Sequence, residues 1–118
     1  MRAKDAVGRY GEKVAAAYLV DRGWEVLDRN WRGTSGELDI VALHGSDLVV
    51  VEVKTRTGDG FGHPAEAVTP AKLARLRRLA GQWLASHDLH PQGVRIDVLA
   101  VRAGGAGAAR VEHLVGVV

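Results

Sequence analysis

Leu48-Val49-Val50-Val51-Glu52-Val53-Lys54-Thr55 is the stretch from which the architecture follows. A run dominated by β-branched side chains, with turn residues ahead of it and glycines behind, predicts a strand. Strand side chains alternate, so Leu48, Val50, Glu52 and Lys54 share one face while Val49, Val51 and Val53 take the other. Apolar residues on both faces mean a central strand covered from two sides. Glu52 and Lys54 end that run. Burying an ionised carboxylate without a partner costs several kcal/mol, so Glu52 needs compensation.

Working outward, His44-Gly45-Ser46-Asp47 reads as a hairpin connection to a second strand over Glu37–Leu43. Gly33-Thr34-Ser35-Gly36 is a turn, and Trp24–Trp31 reads as an edge strand before it. A first helix is predicted from Ala6 to Arg22, with Val7, Gly11, Val14, Ala15 and Tyr18 at helical spacing and Gly23 as its stop. Downstream, a glycine-rich loop runs from Gly58 to Pro64. Thr69-Pro70 then marks a helix start, with the hydroxyl at the cap and proline in the first position. That helix reaches about His87, with Leu73, Leu76, Ala80, Trp83 and Leu84 on one side. Val94–Val101 is a further strand, and Val111–Val117 a last short one at the edge. The order predicts a mixed sheet with helices packed on it, α/β or α+β in class, as one domain over residues 1–118.

Composition supports a globular chain: 47% hydrophobic, 25% charged, net charge +2. The absence of cysteine excludes disulfides, thiolate metal sites and cysteine nucleophiles. The start, Met1-Arg2-Ala3-Lys4-Asp5-Ala6, is charged with no apolar run behind it, unlike a signal peptide. No stretch approaches the roughly 20 apolar residues that cross a bilayer. A cytoplasmic protein without a membrane partner is expected.

The chemistry lies where the hairpin closes. Glu37 and Asp39 are expected on one face of the second strand, with Leu38 and Ile40 on the other. Asp39 lies near the start of its strand and Glu52 near the end of the next, so antiparallel pairing brings both carboxylates to one end of the sheet beside Lys54. Two arrangements would satisfy them. One is an ion pair among Glu52, Lys54, Asp39 and Arg56; the other is a divalent cation between Asp39 and Glu52. Hard oxygen ligands suit Mg²⁺ or Mn²⁺. Glu12 is a solvated helix residue unless the first helix packs across the end of the hairpin.

Lys72, Arg75 and Arg78 on the second helix form either a solvated face or a ridge that contacts phosphates, and Arg56 is the best placed single phosphate contact. Arg77 falls close to the apolar stripe, its head either at the core rim or turned inward to a carboxylate. The segment Thr57–Ala65 could close over a substrate with Phe61 or His63, although turn chemistry alone explains its glycines. Trp24, Trp31 and Trp83 read as core or rim aromatics. His44, His87, His90 and His113 show no metal-ligand spacing.

Gly11-Glu12, Gly36-Glu37-Leu38-Asp39-Ile40-Val41-Ala42 and Val50-Val51-Glu52-Val53-Lys54-Thr55-Arg56 together resemble the bacterial YraN family. The likeness continues through Phe61-Gly62-His63-Pro64-Ala65-Glu66-Ala67-Val68-Thr69-Pro70-Ala71-Lys72 to Arg95-Ile96-Asp97-Val98-Leu99-Ala100. That family is grouped with the restriction-endonuclease-like, or PD-(D/E)XK, nucleases, which include archaeal Holliday junction resolvases. The resemblance implies a restriction-endonuclease-like mixed β-sheet flanked by α-helices. It also implies a Mg²⁺- or Mn²⁺-dependent endonuclease acting on DNA, branched or junction DNA included. Asp39, Glu52 and Lys54 would be the catalytic set. Glu12, Asp39, Glu52 and the Val53 carbonyl would be the metal ligands, with Glu37 in an outer role or a plain salt bridge. Resolving a junction takes two coordinated cuts and would call for a homodimer. The rival expectation is a nucleic-acid-binding or partner-docking module that keeps the fold without cutting. This chain has Gly33-Thr34-Ser35 where family members often carry basic residues, and Leu38 in place of the proline of the superfamily's name.

Overall fold

The computed structural model describes residues 3–57, 68–103, 107 and 109–117. Helix α1 (Ala3–Asp21) is followed by strands β1 (Glu25–Gly33), β2 (Gly36–His44) and β3 (Asp47–Arg56). Helix α2 (Pro70–Ala85) leads to β4 (Gly93–Arg102) and β5 (Arg110–Leu114). The glycine-rich loop at 58–64, with Phe61 and His63, lies outside the described residues. Helix α1 begins ahead of the expected Ala6, because the apolar stripe marks only where a helix is covered and nothing in Ala3-Lys4-Asp5 breaks it.

The five strands lie in chain order, β1-β2-β3-β4-β5. Only β3 and β4 are parallel, as their connection through α2 requires; the other neighbours are antiparallel. The mixed α/β architecture expected from the sequence is therefore present, with the helices on opposite faces of the sheet. Helix α2 sets Leu73, Leu76, Leu79, Ala80 and Trp83 against Leu38, Val41, Leu48, Val50 and Ile96. Helix α1 sets Ala15 and Leu19 against Ile40, Ala42, Val49, Val51, Leu99 and Val101. Strand β3 is thus covered from both sides, and Leu48 to Val51 are fully buried.

Two local features fix how the helices meet the sheet. The Thr69 hydroxyl accepts the Lys72 backbone N–H at 3.2 Å, capping α2 with Pro70 in its first turn. At the other helix, Gly11 is buried against β3, and a Cβ there would collide with the Thr55 side chain. Only glycine lets α1 approach this end of the strand so closely.

One expectation about the faces fails. Leu38 packs beneath α2 but Ile40 beneath α1, so alternation breaks at the residue between them, Asp39. The β2–β3 register ends at Ile40 opposite Val51, where the strands part. Across β1, Arg29 pairs with Ile40 and Trp31 with Leu38, leaving Asn30 opposite Asp39 with a positive φ of 52°. Asn tolerates that left-handed conformation, and the kink turns the start of β2 out of a regular pleat. Asp39 sits at the divergence.

Candidate active site

Continuing the hairpin register by one rung would place Asp39 opposite Glu52. Instead the Asp39 carboxylate takes over the backbone's role: its Oδ2 accepts the Val53 N–H at 2.9 Å. The Asp39 carboxyl group lies beside that of Glu52, and each raises the cost of ionising the other. The pKa of Asp39 is pushed up from 3.8 to about 8. Burial is the main cause, and the neighbouring Glu52 charge adds to it; the Val53 N–H pulls the other way. Glu12 contributes a further upward push, so its charge reaches Asp39 from α1. The sequence made Glu12 conditional on α1 crossing the end of the hairpin, and the Gly11 contact with Thr55 meets that condition.

Glu52 is only 6% exposed. The cation that answers it is Lys72, in the first turn of α2, whose ammonium forms an ion pair with Glu52 Oε2. The Glu52–Lys54 pair expected from sequence is not the one formed. Among the described residues Lys54 makes no ion pair; it follows Glu52 by two along β3 and is half-buried. Arg56 closes the same strand. Lys72, grouped by its helix position with a phosphate-contacting ridge, sits at the acid pair, whereas Arg75 and Arg78 are exposed. Arg77 is exposed too and borders a cavity of about 400 Å³ between α2 and β4, far along the helix from Glu52. Glu37 takes the salt-bridge option, 3.2 Å from exposed Arg32.

The site therefore brings together Asp39, Glu52 and Lys72, with Glu12 acting on it through its charge. Among the described residues no three His, Cys, Asp or Glu side chains are gathered closely enough to hold a metal ion. Two facing carboxylates still fit a hard cation, since Mg²⁺ commonly takes one or two carboxylates and completes its shell with water. The upward push on the Asp39 pKa and the ammonium on Glu52 mark where positive charge is demanded.

A second buried acid escaped the sequence reading. Asp97 on β4 is fully buried. Its Oδ1 accepts from Arg95 Nε at 3.1 Å and from the Gly116 N–H at 2.8 Å, and its Oδ2 accepts from His113 Nε2 at 2.8 Å. His113, given no role by spacing, ties β5 to β4 through this contact. His44 stacks on Trp24 with ring centres 4.4 Å apart and bonds Arg95. The signal in the sequence was Arg-X-Asp in an apolar strand: a charge there demands a partner, but nothing local says which.

Helices among the described residues include none long and apolar enough to cross a membrane. A family model described as "Uncharacterised protein family UPF0102" matches residues 11–101. A UPF0102 protein of Beutenbergia cavernae is 65% identical over 117 residues, covering 99% of both chains. One of Kineococcus radiotolerans is 58% identical over 118 residues, covering 99% of this chain and 97% of its own. One of an Arthrobacter species is 57% identical over 117 residues, covering 99% of both. The matched span runs from the glycine that seats α1 on β3, through both site acids, to the covered end of β4, and the chain belongs to UPF0102, the YraN family.

Proposed function

We propose that this protein is a metal-dependent nuclease that hydrolyses phosphodiester bonds in DNA. One observation carries the reading: carboxylates from two adjoining strands lie side by side where β2 parts from β3, and burial together with the neighbouring Glu52 charge pushes the Asp39 pKa up to about 8. A pair of acids forced together in this way is a poor stability device, because each raises the cost of ionising the other. It suits a site built to take up a cation.

Asp39 and Glu52, with the Val53 carbonyl, are the groups that would hold Mg²⁺ or Mn²⁺. Such an ion polarises a scissile phosphate and lowers the pKa of water beside it. Glu12 strengthens the site's preference for positive charge from across α1. Lys54, without an ion pair among the described residues, orients the attacking water or offsets charge building on the phosphate. Arg56 at the end of β3 and exposed Arg75 and Arg78 on α2 supply backbone contacts that position a strand without reading its sequence. Membership in a family grouped with restriction-endonuclease-like nucleases agrees with each of these roles. It also points to branched or junction DNA as substrate, with a second copy for paired cuts.

The test is a panel of end-labelled linear, flapped, forked and four-way DNAs incubated with Mn²⁺ or Mg²⁺ and sized on a gel. Metal-dependent nicking by the wild type, lost in Glu52→Gln and in chelator, is expected. Equal cutting by Glu52→Gln would assign the activity to a contaminant. DNA retention that falls steeply with salt, ignores chelator and yields no cut would instead make the chain a binding module.

A further inference from the structure

We infer that Lys72 is a built-in competitor of the divalent ion: its ammonium occupies Glu52 in the ion-free protein and must leave Glu52 for the ion to bind. This inference rests on the metal-site reading above and adds how that site is guarded.

The geometry comes from α2, not from the strands that carry the acids. Thr69 caps the helix through the Lys72 backbone N–H, and Pro70 rigidifies the same turn, so the base of the lysine stem is held in place. From there the side chain reaches the face of β3 that Leu48, Val50 and Glu52 share, and the ion pair with Glu52 Oε2 forms where Glu52 is 7% and Lys72 25% exposed along their side chains. An ion pair this shielded is screened far less than a surface pair, so its loss matters to anything else that binds the carboxylate.

Positive charge at the acid pair then has two sources that exclude each other. An ammonium on Glu52 and a divalent ion between Glu52 and Asp39 would be like charges within a few ångströms. Ion entry therefore requires the lysine to move, which its flexible four-carbon stem allows without disturbing the helix cap. Lys72 is thus a positioning residue for the site. It holds the Glu52 carboxylate in place, and it lowers the apparent affinity for the ion by the strength of its own contact.

The experiment measures Mn²⁺ binding to the full chain without nucleic acid, by calorimetry and by loss of the free-ion electron-spin signal. Wild type is compared with Lys72→Met, Lys72→Gln, Lys72→Arg and Glu52→Gln at one pH and ionic strength. Lys72→Met and Lys72→Gln should bind Mn²⁺ on the order of tenfold more tightly than wild type, with Lys72→Arg close to wild type. A lysine that only props up the fold would weaken Mn²⁺ binding when removed, so a gain in affinity separates the two roles; circular dichroism confirms that each variant is folded. Binding by wild type that is unchanged or weakened in both folded variants overturns the inference and leaves the metal site standing. Mn²⁺ binding that appears only once Lys72 is removed supports it. No binding by any of these proteins overturns both it and the metal-site reading.

Discussion

Asp97 and the Asp39–Glu52 pair are both acids embedded in the sheet, yet their surroundings are opposite in kind. Asp97, fully buried, is met by Arg95, His113 and the Gly116 N–H. Every donor around it belongs to the chain, and the result is a clamp that joins β4, β5 and the residues beyond. Asp39 takes the Val53 N–H and Glu52 the Lys72 ammonium, and the two carboxyl groups lie against each other. A carboxylate with a full set of donors has no use for a further cation. Two carboxylates pressed against each other do. Burial alone does not mark a functional acid; what marks it is a local shortage of positive charge.

The comparison can be broken first at its structural half. Asp97→Ala takes an acceptor from the partly buried Arg95 guanidinium, which keeps Asp47, and from the His113 imidazole and the Gly116 N–H, and should cost about 1–3 kcal/mol of stability in urea unfolding. A loss below about 1 kcal/mol would place that network among weak surface pairs.

The functional half should respond to pH instead. Because the folded chain holds the Asp39 proton more tightly than the unfolded chain, it carries more protons between pH 3.8 and about 8. The contribution of Asp39 to stability is therefore fully present below about pH 4, shrinks as pH rises, and levels off above about 8. The melting temperature should fall across that window in the wild type, and Asp39→Asn should flatten the fall and melt higher at pH 8. A wild-type profile as flat as that of the variant would show that the two acids do not press on each other.

The smallest structural effect and the sharpest functional one should coincide at Lys54. With no ion pair among the described residues, Lys54→Ala should shift stability by no more than about 0.5 kcal/mol while abolishing nicking. A loss comparable to that of Asp97→Ala would make Lys54 a structural cation and remove it from the catalytic set.

Much of this was legible before any coordinates. The doubly apolar run at Leu48–Val51 announced a covered strand, and Thr69-Pro70 announced the start of α2. The short hairpin turn at His44–Asp47 sets the register that brings Asp39 beside Glu52, although the two meet mid-strand, where β2 parts from β3, and not at the end of the sheet. What stayed hidden was any relation spanning separate elements. Alternation placed Leu38 with Ile40, but the parting of β2 from β3 and the kink at Asn30 separate them. Spacing along β3 offers Glu52 a partner in Lys54, two residues away, whereas the fold supplies Lys72 from α2.

The amino-acid order was enough to set the elements, the central strand and the meeting of Asp39 with Glu52 across the hairpin, since these depend on periodicity, turns and register, all local properties. Which cation meets Glu52, whether Glu12 is felt at Asp39, and which donors satisfy Asp97 were settled only when the helices docked. Electrostatic partners are chosen by distance in space, and in this chain that distance is set by packing: Gly11 lets α1 close on Thr55, and the capped first turn of α2 holds Lys72 above β3.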